Sequence, residues 1–194
     1  QRKEPSTLLL IGHDELMGGS LSENDWKKEL TRDDISISEW SENEVTMFIS
    51  TKDNKQGFLN ELQKDYPISI VNVHGSNWFH SYNVYNTDIE QTKPKSTFIE
   101  LLSCSTADAI RKDGTFVENY LAGGYLFSGD ALAVKASPVV HFEATPLQQS
   151  DFMKAIGLGI PFGEAMRLGW DSSYILLGDP TIRFSVNKSA GELK

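Results

Sequence analysis

Short runs of apolar and β-branched residues recur along the chain and predict buried strands. The runs cover residues 7–11, 45–50, 68–73, 97–104, 123–128 and 174–177. A run that is apolar at nearly every position is typical of a strand that is covered on both faces. Between the runs, apolar residues at helical spacing predict helices at 22–31, 56–65 and near 115–122, with one or two more within 147–169. Strands that alternate with helices indicate an α/β domain with a mostly parallel sheet.

The remaining segments are polar and predict irregular structure. Residues 31–44 are acidic, which is typical of an exposed loop. Residues 76–95 are rich in Asn, Tyr, Ser and Thr and are expected to form a long loop that is functional or mobile. Residues 131–146 carry two prolines, which favour an edge hairpin or a loop. Asp179, which precedes a proline, is expected to hold backbone N–H groups in a turn.

Length and composition indicate a single globular domain over residues 1–194, with a core over roughly 7–186 and a polar tail at 187–194. Hydrophobic residues make up 39% of the chain and charged residues 23%, as in ordinary folded proteins. No apolar run approaches the ~20 residues of a membrane span. The chain begins at Gln1 without a signal peptide, so we expect a soluble, processed piece whose localisation is open.

The charge of the chain narrows the classes of partner. Its net charge is −9 and its pI about 4.9, so a nucleic-acid partner is not expected, because a basic surface is needed to neutralise phosphates. The glycines after the first strand lack the G-x-G-x-x-G spacing of a dinucleotide site. His80 and His141 show no metal-ligand spacing. The sequence therefore indicates no cofactor and no metal.

Two predicted strands end in residues that can carry out chemistry. The run at 68–73 is followed by His74 and Gly75, and the run at 97–104 ends in Cys104, the only cysteine. The carboxyl ends of parallel strands form the edge where ligands bind in α/β proteins. If the two strands are neighbours, an imidazole and a thiol project from one edge, which is the minimum for a cysteine nucleophile. Otherwise Cys104 is a small buried apolar residue.

Four motifs in this order resemble the gingipain-like cysteine peptidases of the caspase and legumain clan. They are His-Gly at 74–75, Ser-Cys at 103–104, Ile-Pro-Phe-Gly-Glu-Ala at 160–165 and Tyr-Ile-Leu-Leu-Gly-Asp-Pro-Thr-Ile-Arg-Phe at 174–184. The resemblance implies a caspase-like three-layer α/β/α sandwich, a secreted thiol protease and peptide-bond hydrolysis without a cofactor. The chain departs from the family in two respects: Ser105 and Thr106 stand where a glycine often follows the cysteine, and the upstream gingipain subdomain is not found.

The resemblance also implies roles for the residues of the motifs. His74 becomes the general base and acid, Cys104 the nucleophile, and the backbone N–H groups of Gly75 and Cys104 the oxyanion hole. An imidazolium beside a thiol lowers the pKa of the thiol and activates it, and the imidazole can then protonate the leaving amine. A glycine suits position 75 because a Cβ would crowd the oxyanion. The expected partners are a protein or peptide substrate and an upstream or pro-region of a larger precursor.

Two carboxylates receive separate interpretations. Asp130 follows the predicted strand at 123–128, so it is expected at the same sheet edge as His74 and Cys104. A carboxylate there would bind Arg or Lys at P1, whereas the alternative is an exposed aspartate in a turn. Glu100 lies within a predicted buried strand, where a carboxylate requires a partner, and is interpreted as structural.

The sequence leaves three functions open for this fold. The leading one is a cysteine endopeptidase that cleaves after basic residues. A catalytically silent interaction module is the second, because two residues that match in sequence need not meet in space. A thiol acyltransferase is the third, since it forms the same acyl-enzyme and resolves it with an amine instead of water.

Overall fold

A computed structural model describes residues 8–13, 45–50, 53–110, 113–140, 152, 155–156, 158–168 and 173–184. The strands in these ranges are β1 (Leu8–His13), β2 (Val45–Ser50), β3 (Ile68–Asn72), β4 (Phe79–His80), β5 (Val84–Tyr85), β6 (Phe98–Leu101), β7 (Ala133–Ala136) and β8 (Ile175–Gly178). The helices are α1 (Lys55–Leu62), α2 (Asn86–Thr92), α3 (Leu121–Ser128) and α4 (Phe162–Leu168). The predicted helix at 22–31, the acidic loop at 31–44 and the tail at 187–194 lie outside these ranges.

The main sheet has six strands in the order β2-β1-β3-β6-β7-β8. Neighbouring strands run parallel except β8, which pairs antiparallel with β7. The predicted mostly parallel sheet is therefore confirmed. The strands predicted at 45–50 and 68–73 agree with β2 and β3 to within one residue. All five residues of β3 are buried, as expected for a strand covered on both faces.

Successive residues of a strand point to opposite faces of the sheet, and two separate cores follow from that alternation. In β1, Leu9 and Ile11 belong to the core on one face and Leu10 to the core on the other. Side chains from α1, α2 and α3 complete the first core. Side chains from the helical residues Phe152, Ala155 and Ile156 and from α4 complete the second. The protein is thus a three-layer α/β/α sandwich.

Local polar contacts fix where some elements begin and turn. The side chain of Asn54 accepts a hydrogen bond of 3.0 Å from the N–H of Gly57 and so caps the first turn of α1. The carboxylate of Asp179 accepts a hydrogen bond of 2.8 Å from the N–H of Thr181, which confirms the turn predicted there. This bond and a second from the Thr181 hydroxyl lower the pKa of Asp179.

The strand predicted at 123–128 is wrong, because these residues form most of α3. The helix near 115–122 is also wrong, since Thr115–Tyr120 precede α3. A short apolar run has no periodicity that separates a buried strand from a buried helix. The first five residues of α3 are buried. Gly124 lets α2 approach closely, since a Cβ built there would clash with the Asn86 side chain.

The long loop predicted at 76–95 is wrong as well. It contains the β4–β5 hairpin, a 3₁₀ turn at Ser81–Asn83 and α2. Few of its residues are apolar, so the helical spacing is weak, and Asn86 and Ile89 are the buried residues of α2. Tyr82 anchors the segment, because its buried hydroxyl donates a 2.6 Å hydrogen bond to the carbonyl oxygen of Gly12. Likewise, residues 133–136 within the predicted edge segment form an interior strand.

Candidate functional site

The strands that precede His74 and Cys104 are direct neighbours at the centre of the sheet. Val71 of β3 lies opposite Leu101 of β6, and the N–H of Leu102 donates a 2.9 Å hydrogen bond to the carbonyl oxygen of Val71. His74 follows Val71 by three residues, and Cys104 follows Leu101 by three. The imidazole and the thiol therefore leave the sheet at the same carboxyl edge and at matching register.

His74 begins a short hairpin over residues 74–81, which includes β4 and is closed by backbone hydrogen bonds. Its carbonyl oxygen accepts a 2.8 Å bond from the N–H of Ser81, and the N–H of Ser76 donates a 2.9 Å bond to Phe79. Gly75 and His80 lie opposite each other in an antiparallel bridge between these bonds. The hairpin holds the backbone on both sides of His74, while its side chain is exposed at the edge of the sheet.

Gly75 brings this hairpin against the turn that carries Cys104. A Cβ built at Gly75 would lie 3.0 Å from Cβ of Ser103, 3.1 Å from Nδ1 of His80 and 3.3 Å from Cγ2 of Thr106. The steric reason for a glycine therefore differs from the prediction, because the missing Cβ points into packed side chains of the protein. The N–H of Gly75 forms no hydrogen bond within the part of the chain that the structure describes. Its role in an oxyanion hole stays a prediction.

Cys104 is partly exposed and opens a tight turn over residues 104–107. Ser105, which follows it, has a φ of 52°, in the left-handed region that favours glycine. The segment after β7 holds this turn, since the N–H of Ser105 donates to Val139 and that of Ala107 donates to Ser137, both at 2.8 Å. A serine thus adopts here a backbone conformation that favours glycine.

Asp130 does not lie at this edge. Because 121–128 is a helix, the chain returns along the sheet before it reaches Asp130. The N–H of Asp130 donates a 2.8 Å hydrogen bond to Pro94, ahead of β6, and the N–H of Leu132 donates to Thr97. Asp130 is exposed at the amino ends of β6 and β7. Because β6 has four residues, each about 3.3 Å long, the amino and carboxyl ends of the strands lie more than about 10 Å apart. The predicted strand at 123–128, on which a role of Asp130 in the substrate pocket depended, is therefore absent.

Two residues of the hairpin have environments that the sequence did not reveal. His80 is fully buried, and burial lowers its pKa to about 3, so the imidazole is neutral at physiological pH. Trp78 is 53% exposed, and its ring centroid lies 5.5 Å from that of Tyr85. Trp78 precedes β4 and His80 ends it, and strands of two residues are too short to give a periodic signal in the sequence.

Two further kinds of site, for a metal ion and for a membrane span, are absent from the described ranges. No group of three or more His, Cys, Asp or Glu residues there could hold a metal ion. None of the helices described is both long enough and apolar enough to cross a bilayer.

Gingipain structures are among the solved structures that are similar to this chain. The crystal structure of the Arg-specific cysteine proteinase gingipain R (RgpB) has a TM-score of 0.65 at 15% identity, over 94% of this chain and 48% of that chain. The complex of Porphyromonas gingivalis RgpB pro- and mature domains has a TM-score of 0.63 at 13% identity, over 93% and 49%. The chain thus spans about half the length of either. No family model and no curated protein matches it. The likeness shows a caspase-like fold shared with gingipain.

Proposed function

We propose that this chain is a cysteine endopeptidase domain in which His74 and Cys104 form the catalytic dyad. One observation carries the proposal: the pairing of β3 with β6 leads the His-Gly and Ser-Cys turns to one sheet edge, where Gly75 packs against Ser103. The fold shared with a cysteine proteinase supports the same reading. Cys104 is partly exposed, so a substrate carbonyl can reach its sulfur.

Each residue has a defined task in the reaction. His74 takes the proton of the Cys104 thiol, and the thiolate attacks the carbonyl carbon of the scissile bond. The N–H groups of Gly75 and Cys104 donate hydrogen bonds to the oxyanion that develops. The C–N bond then breaks, and His74 returns its proton to the leaving amine. Water, deprotonated by His74, attacks the thioester carbon, and the acid product leaves as the thiol regains its proton.

The proposed specificity is cleavage after Arg or Lys. The similar structure is that of an Arg-specific proteinase, and the sequence resemblance leads to the same expectation. Asp130 does not supply the carboxylate for the guanidinium, since it lies at the opposite end of the strands. The second similar structure pairs a pro-domain with a mature domain. We therefore include a pro-region or upstream region of a larger precursor among the partners.

Covalent labelling with peptide electrophiles tests the proposal. The full chain is incubated with peptidyl acyloxymethyl ketones that carry Arg, Lys, Leu or Asp at P1, and the modified residue is identified by mass spectrometry. We expect labelling of Cys104 that depends on the peptide sequence and is lost in Cys104→Ala. Iodoacetamide serves as a control for thiol exposure. If iodoacetamide modifies Cys104 but no peptide probe does, the chain is a silent module and the proposal fails.

A second measurement separates hydrolysis from acyl transfer. A peptide that labels well is converted to the corresponding substrate, and the products are analysed with and without an added amino-acid amide. A peptidase releases the free acid in both cases. If the amide-capped product dominates at millimolar amine, the acyltransferase interpretation replaces the peptidase one, although the roles of His74 and Cys104 remain.

A further inference from the structure

A cluster of buried polar side chains lies directly beneath Gly75. His80 and Tyr125 are 0% exposed and Ser103 is 2% exposed. Cβ of Ser103 and Nδ1 of His80 both lie within 3.1 Å of the point where a Cβ of Gly75 would stand. The rings of His80 and Tyr125 meet edge to face, with centroids 5.7 Å apart. The three residues come from three elements: the hairpin, the turn of Cys104 and α3.

The polar atoms of this cluster have no hydrogen-bond partner among the described residues. They are Nδ1 and Nε2 of His80, Oγ of Ser103 and Oη of Tyr125. Buried groups of this kind are nearly always satisfied in native proteins, by protein or by ordered water. So many unsatisfied atoms in one place are unusual, and an internal water with two to four polar neighbours is the common solution.

The protonation states of the cluster suit such a ligand. Burial lowers the pKa of His80 and raises that of Tyr125, so the ring is neutral and the phenol keeps its proton. A neutral imidazole offers one donor and one acceptor, and each hydroxyl offers both. Phe58 packs on His80 with ring centroids 6.0 Å apart and supplies an apolar wall. A water molecule is a chemically suitable ligand for the hydroxyls and for Nδ1 of His80, the ring nitrogen that lies near Gly75, whereas an ion would have no counter-charge within the cluster.

We propose that His80, Ser103 and Tyr125 bind an internal water beneath Gly75 and that this site holds the Gly75 N–H in position for the oxyanion. The proposal rests on the peptidase function proposed above. None of the three residues touches substrate, so they are positioning residues. The water ties the hairpin of His74 to the turn of Cys104, and α3 supplies the third support.

Two conservative variants test the positioning role. Tyr125→Phe and Ser103→Ala each delete one hydroxyl from the cluster. We expect kcat to fall on the order of tenfold, because small misplacements of a catalytic group are costly, while KM changes by less than about twofold. The matched control is Tyr66→Phe, which deletes a buried tyrosine hydroxyl that bonds to Glu61 ahead of β3. Unchanged kcat in both cluster variants would overturn the proposal.

A spectroscopic measurement tests the water site without relying on peptidase activity. In ¹⁵N-labelled protein we expect a neutral His80 in one tautomer, a water cross-peak to its ring and a Gly75 amide signal that moves in Tyr125→Phe. Tyr66→Phe should leave that signal in place. The absence of a water cross-peak together with an unmoved Gly75 signal would overturn the water site, even if the wild-type protein cleaves peptides. Conversely, these signals can be present in a protein without peptidase activity, so the two proposals fail separately.

Discussion

Lys135 and Glu100 form an ion pair inside the protein, with Nζ of Lys135 2.5 Å from Oε1 of Glu100. The two residues lie opposite each other on β7 and β6, and their side chains are 3% and 0% exposed. Nζ also lies 4.5 Å from the ring centroid of Phe152 and 4.8 Å from that of Tyr174. The partner that the sequence required for a buried Glu100 is therefore Lys135, and the structural interpretation of Glu100 is supported.

Breaking this pair should destabilise the protein strongly. We expect Lys135→Met to lower the free energy of unfolding by about 3–5 kcal/mol, because it leaves the carboxylate of Glu100 buried without its counter-charge. Glu100→Leu combined with Lys135→Met should recover most of that loss, since a well-packed apolar pair of similar volume is often neutral. Urea denaturation of the three proteins measures both effects. A double variant no more stable than Lys135→Met would contradict the argument.

His74 and Cys104 are expected to act as one unit. Cys104→Ala should abolish cleavage while the fold remains intact, with a loss of several orders of magnitude in kcat. His74→Ala should reduce kcat nearly as much. The double variant should be little worse than either single one, because loss of the nucleophile or of its base alone already prevents the attack on the substrate. The comparison uses kcat/KM, with circular dichroism as the control for folding. Losses that add on a logarithmic scale would show that the two residues work separately.

Gly75→Ala should damage catalysis more than stability. The added Cβ would lie 3.0–3.3 Å from three packed side chains, so the hairpin has to shift by a few tenths of an ångström. We expect a loss of about 1–2 kcal/mol in unfolding free energy and at least tenfold in kcat. Gly114→Ala is the control, because a Cβ there meets no atom within 4 Å and only its φ of +82° is penalised. Equal kcat in wild type and Gly75→Ala would refute the packing argument.

Ser105→Gly should stabilise the turn beside the nucleophile. Ser105 has a φ of 52°, and a glycine adopts this conformation without the steric cost that a Cβ brings. We expect a gain of about 0.5 kcal/mol in unfolding free energy with cleavage retained. Asn83→Gly is the matched control, since Asn83 has a φ of 53° but asparagine tolerates this region better, so its gain should be smaller. A loss of stability in Ser105→Gly would count against the interpretation.

Asp130→Asn should leave the P1 profile unchanged. Asp130 is bonded through its N–H to Pro94 at the amino edge of the sheet, so its carboxylate cannot reach a side chain bound beside Cys104. The measurement is a peptide-library profile of the wild type and the variant under one set of conditions. A selective decline in cleavage after Arg or Lys would return Asp130 to the site and show that the chain rearranges when substrate binds.

The central strands could be predicted from sequence because their apolar runs are continuous. Every residue of Ile68–Asn72 and Phe98–Leu101 is buried. A strand that is buried on both faces needs mostly apolar residues, and that run of apolar residues is visible in the sequence. The motifs that follow them predicted which residues would lie at one end of the paired strands. The same logic failed at residues 123–128, since a helix buried on most sides carries an equally continuous run. That one error moved Asp130 to the wrong end of the sheet.

The environment of His80 could not be predicted from the chain. Its burial depends on Phe58 from α1 and Tyr125 from α3, residues distant in sequence whose approach follows from the packing of whole layers. The hairpin that carries it has strands of two residues, too short for alternation to be visible. Sequence patterns report the average environment of an element, whereas unsatisfied polar atoms arise from the contacts of single residues.

The central placement of β3 and β6 limits how the activity of the proposed dyad could be switched on and off. Each of the two strands has a hydrogen-bonded neighbour on both sides, so their amides should exchange with solvent only when the whole sheet opens. The framework under the dyad is then among the slowest parts of the chain to fluctuate. Any on–off control of the proposed dyad would have to act on the turns beyond the strands. The amide exchange rates of Gly75 and Ser105 would then change, while those of β3 would stay the same.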